Sequence, residues 1–268
     1  MLEKKSMQFM LNVPLLDSTI LATINKKLTE TFGNEFKEVI IGGAALNPEA
    51  EEFFKKIGFR FTVGYGMTEC APLISHSFWH EFKLHSVGKV LPTMEAKILS
   101  NDPQNEVGEI LVRGENVMLG YYKNEEATRL AIDEDGWLHT GDMGTMDFDG
   151  TIYIKGRNKN MLLGPSGQNI YPEEIENKLN NMPFVLESLV LQNAENKLVA
   201  LVVPDYDAMD EAKLTTKDLE LVMEENRKAL NETTAAYESI TKIQIYPSEF
   251  EKTPKKSIKR FLYVNQLK

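Results

Sequence analysis

Residues 135–159 read DGWLHTGDMGTMDFDGTIYIKGRNK and carry the clearest structural signal in the chain. Short runs with the spacing of β-strands, such as residues 151–154, alternate in this region with turns rich in glycine and aspartate. The pattern changes again after Gly156-Arg157. We therefore expect a small β-rich subdomain over about residues 87–154 and a domain boundary near residues 157–160.

The segment upstream predicts a strand, a helix and a second strand. Residues 39–41 are an apolar run that ends in two glycines, as a buried strand does before a tight loop. Asn47-Pro48 then starts a helix that closes at Gly58, since proline suits the first helical position. Residues 59–63 form the next strand. Two strands joined through a helix are expected to run parallel in one sheet.

The part of the chain after residue 160 predicts a compact α+β unit of about 100 residues, an ordinary domain size. We expect a helix at residues 172–179, strands at 185–191 and 198–203, a helix at 214–230 and a strand at 240–245. A further helix, residues 16–32, is capped by Asp17 or Ser18 and ends at Gly33. The expected fold class is α/β plus α+β: a large, incomplete amino-terminal domain followed by a small carboxyl-terminal one.

Composition excludes several classes of protein. Of 268 residues, 42% are hydrophobic and 26% charged, which is typical of a globular protein with a buried core. The single Cys70 excludes a disulfide framework and a multi-cysteine zinc site. A net charge of −10 argues against a nucleic-acid partner. No apolar run reaches the ~18 residues of a membrane span, so we expect a cytoplasmic or peripherally membrane-associated protein.

Residues 64–69, GYGMTE, directly follow a predicted strand. Glycine lets the backbone approach a ligand, and the flat face of Tyr65 suits a nucleotide base. Thr68 offers a hydroxyl to a phosphate oxygen, and Glu69 offers a carboxylate to Mg²⁺. The same six residues could equally form a glycine turn that caps a helix.

Three further segments carry weaker signals. The small residues at positions 42–45, GGAA, leave room for a flat ring, although a glycine turn in any α/β domain looks the same. Asp142 lies in a glycine turn, where it could accept hydrogen bonds from both ribose hydroxyls or bond its own backbone. Arg157 could donate to ribose or phosphate oxygens, or lie in a solvated linker. His139 has no second histidine at ligand spacing, so we do not expect it to hold a metal.

A basic run stands out against the acidic composition. Residues 252–260, KTPKKSIKR, hold five basic side chains and no acidic one. This contrast indicates an anionic partner, and the alternative is a surface loop with no binding role.

The order of the segments is more specific than any one of them. GGAAL, GYGMTE, GEILVRG, DGWLHTGDMG, GRNKN, GQNIYPEEIE and KTPKKSIKR together resemble the adenylate-forming superfamily. Residues 135–159 are similar to the signature of fatty-acyl-CoA synthetases, and the chain looks like a long-chain member. The resemblance implies that residues 1–156 are the back portion of the AMP-binding (adenylation) domain and residues 157–268 the mobile carboxyl-terminal domain. It also implies an enzyme that joins a fatty acid to AMP from ATP and then passes the acyl group to coenzyme A.

Roles for individual residues follow from the resemblance by motif position. Nucleotide contacts are implied for Gly43, Ala44, Ala45, Tyr65, Gly66, Thr68, Asp142 and Arg157. Thr68 would act at the phosphate and Glu69 would hold Mg²⁺. Lys159 would be the hinge of the mobile domain, which presents two surfaces in turn to one site. The loop of Gly167, Gln168 and Asn169 would face the coenzyme A channel.

Two features depart from the family pattern. The family's phosphate loop precedes GGAAL, and nothing in the 41 residues before Gly42 resembles it. We therefore expect the carboxyl-terminal half of a longer enzyme, inactive without its amino-terminal half. The family's catalytic lysine falls at Ser257, which is too short and uncharged to bridge a substrate carboxylate and a phosphate. We assign that role to Lys256, although neighbouring side chains of an extended segment point to opposite faces.

Two other functions stay open at this stage. One is a related ligase that loads an acyl chain onto a carrier protein, and the other is a fragment that binds nucleotide without catalysis. The oligomeric state is also open, and we expect an exposed sheet edge to make the isolated chain prone to association.

Overall fold

The computed structural model describes residues 18–254 and 257–267. Its contacts divide the chain into two units, residues 1–155 and 156–268, each with its own hydrophobic core. Within the described ranges, no helix combines the length and apolarity that crossing a bilayer requires. The predicted helix start at Asp17 and the catalytic assignment of Lys256 lie outside the described residues.

A parallel strand pair forms the first part of the first unit. The elements are α1 (Ser18–Thr31), β1 (Val39–Ile41), α2 (Pro48–Lys56) and β2 (Phe61–Val63). The two strands pair in parallel with Val39 opposite Phe61, which confirms the predicted crossover through a helix. Asn47 caps α2 because its side chain accepts the Ala50 N–H at 3.1 Å. Phenylalanines from α2 and β2 dominate the core between them.

The rest of the first unit is β-rich and contains two antiparallel sheets, which begin at Tyr65, upstream of the predicted start at about residue 87. The elements are β3 (Tyr65–Gly66), β4 (Leu73–His76), β5 (Lys89–Val90), β6 (Met94–Leu99), β7 (Gly108–Gly114), α3 (Glu125–Ala131), β8 (Leu138–Met146) and β9 (Ile152–Arg157). Strands β3-β4-β5 form one sheet and β6-β7-β8-β9 the other. Fully buried side chains, among them Ile110, Val112 and Leu138, form their common core.

The second unit is an α+β domain. Its elements are β10 (Leu162–Leu163), β11 (Asn169–Ile170), α4 (Pro172–Leu179), β12 (Val185–Gln192), β13 (Leu198–Pro204), α5 (Tyr206–Glu211), α6 (Thr216–Thr233) and β14 (Ile240–Ile245). Strand β13 lies between β12 and β14, antiparallel to the first and parallel to the second. All seven residues of β13 are buried, as a continuous apolar run at the centre of a sheet requires.

The second unit differs from its predicted elements at two helices and at the short pair of strands β10 and β11, which was not predicted. Helix α6 begins at Thr216 rather than residue 214, because Thr215 and Asp218 form a reciprocal capping box. Helix α5 was not predicted. Its signal is Asp205, whose side chain accepts the Ala208 N–H at 3.1 Å and so starts a short helix.

Candidate functional site

Two of the predicted binding loops lie side by side at one edge of the parallel sheet. The Gly64 N–H donates to the Ile41 carbonyl oxygen at 2.9 Å, directly where β1 ends. A Cβ added to Gly42 would lie 3.1 Å from the Gly64 carbonyl oxygen. The loops meet because parallel strands present their carboxyl ends at the same edge, where α/β sheets bind ligands.

The first of these loops presents its backbone to solvent. Gly43, Ala44 and Ala45 are all exposed. Gly43 has φ +88°, a conformation that residues with a Cβ adopt only with strain. The loop therefore offers main-chain polar groups and small side chains that a flat ring could approach.

The second loop folds back on itself after Gly66. The Met67 N–H donates to the Pro72 carbonyl oxygen at 2.8 Å, and a Cβ at Gly66 would lie only 2.1 Å from that oxygen. Glycine is thus required at position 66. The exposed Thr68 begins a three-residue 3-10 helix, so the segment does not cap an α-helix.

Tyr65 and Asp142 form a buried contact beside this loop. The side chains belong to residues that are 8% and 5% exposed, and the Tyr65 hydroxyl donates to Asp142 Oδ2 at 2.7 Å. Burial, helped by the negative charge of Asp142, raises the pKa of Tyr65 well above its ordinary value. Tyr65 therefore stays protonated and holds the carboxylate in one orientation. The sequence predicts both residues but not their contact.

Glu69 is held by a residue that the sequence analysis missed. The Tyr121 hydroxyl donates to Glu69 Oε1 at 2.9 Å, and this hydrogen bond raises the pKa of Tyr121. The Met118 N–H donates to the Glu69 carbonyl oxygen at 2.7 Å. No spacing rule connects positions 69 and 121, so only the tertiary structure could reveal the pair.

The Glu69 carboxylate and the Thr68 hydroxyl suit a hard cation whose other ligands are substrate phosphates and water. In residues 18–254 and 257–267, no three His, Cys, Asp or Glu side chains are grouped as a metal cage. Mg²⁺ is usually bound by one or two carboxylates together with substrate phosphates and water. A single carboxylate beside the exposed Thr68 hydroxyl fits that mode of binding.

The remaining predicted site residues lie in the second unit. Arg157 ends β9, and Lys159 is in the short 3-10 turn Asn158–Asn160; both are exposed. The exposed Gly167 and Gln168 lie in the turn between β10 and β11, and the exposed Asn169 begins β11. The turn closes through the Gly164 N–H, which donates to the Gln168 carbonyl oxygen at 2.8 Å.

Most of the described charge in the basic run is paired inside the second unit. Lys252 lies 2.6 Å from Glu187, and Lys259 lies 3.2 Å from Glu251. Arg260 forms an ion pair with Glu176. Lys255 and Lys256 lie outside the described residues. Three of the five basic side chains therefore contact acidic residues of their own unit, which accounts for part of the charge contrast.

The Arg260–Glu176 pair is largely buried, with Glu176 buried and Arg260 half-buried. Arg260 also donates to the Val190 carbonyl oxygen at 3.2 Å, and Glu176 Oε1 accepts the Val190 N–H at 2.6 Å. Burial raises the pKa of Glu176 to about 7, although the positive charge of Arg260 opposes the shift. The pair fixes the segment after Ser257 to α4 and β12.

Comparison with known families agrees with the motif order. Residues 1–122 match the model of AMP-binding enzymes, and residues 160–268 match that of the AMP-binding enzyme C-terminal domain. The chain belongs to the AMP-binding enzyme family. The resemblance seen in the sequence is thereby confirmed, and so is the mixed α/β architecture.

Relatives of this AMP-binding enzyme chain are longer proteins. It is 30% identical over 256 residues to long-chain-fatty-acid–CoA ligase FadD15 of Mycobacterium bovis, covering 88% of this chain and 42% of that ligase. An o-succinylbenzoate CoA synthetase from Bacillus subtilis, solved with the acyl-adenylate intermediate OSB-AMP, matches with TM-score 0.72 and 26% identity over 90% of this chain and 49% of that one. ATP-bound MatB from Rhodopseudomonas palustris matches with TM-score 0.72 and 25% identity over 96% and 55%. The chain thus spans about half the length of these three proteins.

Proposed function

We propose that this chain is the carboxyl-terminal part of an AMP-forming ligase that activates a long-chain fatty acid with ATP and passes it to coenzyme A. One observation carries the proposal. The loops that follow the parallel strands β1 and β2 lie together, with the Tyr65–Asp142 pair and Glu69 beside them. The name of the mycobacterial relative supports a long-chain fatty acid as the substrate and coenzyme A as the acceptor.

The reaction explains why such a site needs a loop that binds phosphate. A carboxylate resists nucleophiles, so one of its oxygens first attacks the α-phosphorus of ATP while the bond to pyrophosphate breaks. The product is an acyl-adenylate and free pyrophosphate. The thiol of coenzyme A then attacks the acyl carbon, loses its proton, and AMP leaves. Charge accumulates on the phosphate in the first step, where hydrogen-bond donors and cations stabilise it most.

We assign the first unit to the nucleotide. The backbone at Gly43, Ala44 and Ala45, with Tyr65 and Gly66, would border the adenine. The Thr68 hydroxyl would donate to a phosphate oxygen, and Glu69 would hold Mg²⁺, which supplies positive charge there. Asp142, held by the Tyr65 phenol, would accept hydrogen bonds from the ribose hydroxyls.

We assign the second unit to the ribose edge and to the change between half-reactions. Arg157 would donate to the ribose, Lys159 would be the hinge, and the loop of Gly167, Gln168 and Asn169 would face coenzyme A. Lys256 would bridge the fatty-acid carboxylate and the phosphate. In the longer ligase, Lys256→Ala should slow acyl-adenylate formation and Ser257→Lys should raise it, both measured as ATP–pyrophosphate exchange. An unchanged rate in Lys256→Ala would remove Lys256 from the mechanism.

Binding of nucleotide to the 268-residue chain tests the core of the proposal. We expect calorimetry to detect AMP binding, and Asp142→Asn to weaken it about 10-fold or more, because hydrogen bonds to a charged acceptor contribute about 1.5–3 kcal/mol. Asp135→Asn is the matched control, since Asp135 is an exposed turn aspartate of the same segment. Equal AMP affinities for the two variants would contradict the ribose assignment.

Acceptor choice separates the proposal from the other candidate functions. The longer ligase should convert a fatty acid, ATP and coenzyme A into the acyl thioester. Transfer to a carrier-protein thiol in preference to coenzyme A would identify the carrier-loading ligase. Nucleotide binding with no adenylate formation, even when the amino-terminal half is supplied, would identify a binding module.

A further inference from the structure

The segment that carries Tyr121 is fixed to the start of α3. The Tyr121 N–H donates to Thr128 Oγ1 at 2.8 Å, and that hydroxyl donates to the Asn124 carbonyl oxygen at 2.9 Å. Gly120 has φ +148°, and a Cβ there would lie 2.7 Å from Thr128 Cγ2. Only glycine lets the chain pass this close to Thr128, so the position of Tyr121 depends on the packing of Gly120.

The same segment is also fixed to the turn that contains Glu69. The Met118 N–H donates to the Glu69 carbonyl oxygen at 2.7 Å. The Asn116 side-chain amide donates to the carbonyl oxygens of Cys70 and Leu73, at 2.6 and 2.8 Å. Three hydrogen bonds therefore join residues 116–118 to residues 69–73 independently of the Tyr121 hydroxyl. The backbone segments that carry the Tyr121 phenol and the Glu69 carboxylate are therefore fixed relative to each other.

The two carboxylate oxygens of Glu69 differ in their hydrogen bonding. Oε1 accepts the Tyr121 hydroxyl at 2.9 Å. Oε2 makes no hydrogen bond or ion pair within residues 18–254 and 257–267. A carboxylate bonded through one oxygen cannot rotate freely, and the other oxygen is then available in a fixed direction.

We infer that Tyr121 is a positioning residue, which fixes the Glu69 carboxylate so that Oε2 binds a divalent cation. The inference rests on the proposed role of Glu69 as the Mg²⁺ ligand. Tyr121 does not touch the cation or the nucleotide in this scheme. Hydrogen-bond partners behind a metal ligand orient it, and losing one typically costs 10–100-fold in metal affinity.

Tyr121→Phe removes only the hydroxyl oxygen, and Tyr122→Phe is the matched control on a neighbouring, exposed ring. The probes are Mn²⁺, followed by electron paramagnetic resonance, and Mg²⁺, titrated by calorimetry, each added to the 268-residue chain with ATP. We expect Tyr121→Phe to raise the half-saturating cation concentration about 10-fold. AMP affinity without cation and the melting temperature should not change. Tyr122→Phe should change none of these quantities.

The outcomes separate this inference from the proposed function. Glu69→Gln should abolish the cation dependence. If Glu69→Gln does so and Tyr121→Phe does not shift the cation titration, the positioning role is wrong while the metal assignment stands. If Glu69→Gln has no effect, or if the wild-type chain shows no cation-dependent ATP binding, the metal assignment and the inference both fail. If Tyr121→Phe weakens AMP binding without cation as strongly as it weakens cation binding, Tyr121 is a structural residue only.

Discussion

Replacing Arg260 with methionine should destabilise the second unit by about 3–5 kcal/mol at pH 8, the usual cost of removing one partner from a buried ion pair. Methionine keeps the apolar stem of arginine and removes the guanidinium. The perturbation leaves Glu176 buried without its cation and the Val190 carbonyl oxygen without the Arg260 donor.

The magnitude follows from the burial of both partners. The side chains of Arg260 and Glu176 are 15% and 10% exposed, so little water can replace the lost cation. In the variant, the Val190 N–H is the remaining described donor to the Glu176 carboxylate. An uncompensated buried charge then opposes folding, which places the expected loss near the values for broken buried pairs rather than surface pairs.

The loss should depend on pH with a defined sign. Burial raises the pKa of Glu176 from 4.5 to about 7, so the folded state binds this proton more tightly than the unfolded state. The contribution of Glu176 therefore favours folding at low pH and is lost as pH rises through about 7. Removing Arg260 raises the pKa further, because the arginine charge opposes the shift. At pH 5.5 the carboxyl is neutral with or without Arg260, and because pH 8 lies about one unit above the wild-type pKa, the cost of Arg260→Met should be about 1.4 kcal/mol smaller at pH 5.5 than at pH 8.

Urea unfolding with pulsed hydrogen exchange and mass spectrometry measures the second unit directly, through peptides of the buried strand β13. Trp79 and Trp137 both lie in the first unit, so their fluorescence is an internal control that should not change. Lys197→Met is the matched variant: its pair with Glu195 is 2.7 Å long but exposed, and exposed pairs contribute at most about 1 kcal/mol. A loss below 1 kcal/mol for Arg260→Met at pH 8, or equal losses at pH 5.5 and pH 8, would contradict the stabilising role of the buried pair.

Three further predictions concern the first unit. Gly66→Ala should lower the melting temperature of the first unit by about 10 °C or prevent folding, since the new Cβ would lie 2.1 Å from the Pro72 carbonyl oxygen. Tryptophan fluorescence during heating measures the melting temperature. An unchanged value would contradict the close approach of these two atoms. Tyr65→Phe should lower the free energy of unfolding in guanidinium by about 1–3 kcal/mol, because the buried Asp142 carboxylate loses the phenol donor. An unchanged free energy of unfolding would mean that this hydrogen bond makes no net contribution to stability. The isolated chain should self-associate, because Ile40 is exposed on β1 and that strand pairs on one side only within the described residues; light scattering from a uniform monomer would count against this.

Local patterns account for the elements that the sequence predicts well. Helix α4 begins at Pro172 and β14 covers Ile240–Ile245, both as predicted. In each case one local signal, a proline at the first helical position or a run rich in β-branched residues, agrees with the tertiary packing. Helix α5 is only six residues long, and its cap at Asp205 was too weak a signal to distinguish a helix from a turn.

The candidate site shows the same difference between features that local patterns predict and features that depend on tertiary packing. The parallel topology follows from the strand–helix–strand order, and it brings GGAA and GYGMTE to one sheet edge. The contacts Tyr65–Asp142 and Glu69–Tyr121 join residues 77 and 52 positions apart. No periodicity spans such separations, because the contacts depend on how strands and loops from different sheets pack. Motifs therefore indicate which side chains belong to a site, while their orientation follows from tertiary structure.

The basic run shows how the structure changes an argument drawn from charge alone. The hairpin pairs Lys252 with Ile258, and the Thr253 N–H donates to the Ser257 carbonyl oxygen at 2.8 Å. Ile258 packs on a core cluster of the second unit, whereas Ser257 is exposed, so side chains alternate up to Ser257 as in an extended strand. Lys252, Lys259 and Arg260 pair with acidic residues of their own unit, so the charge contrast alone does not identify an anionic partner. Lys256 lies outside the described residues, and its role as the bridging lysine stays a prediction.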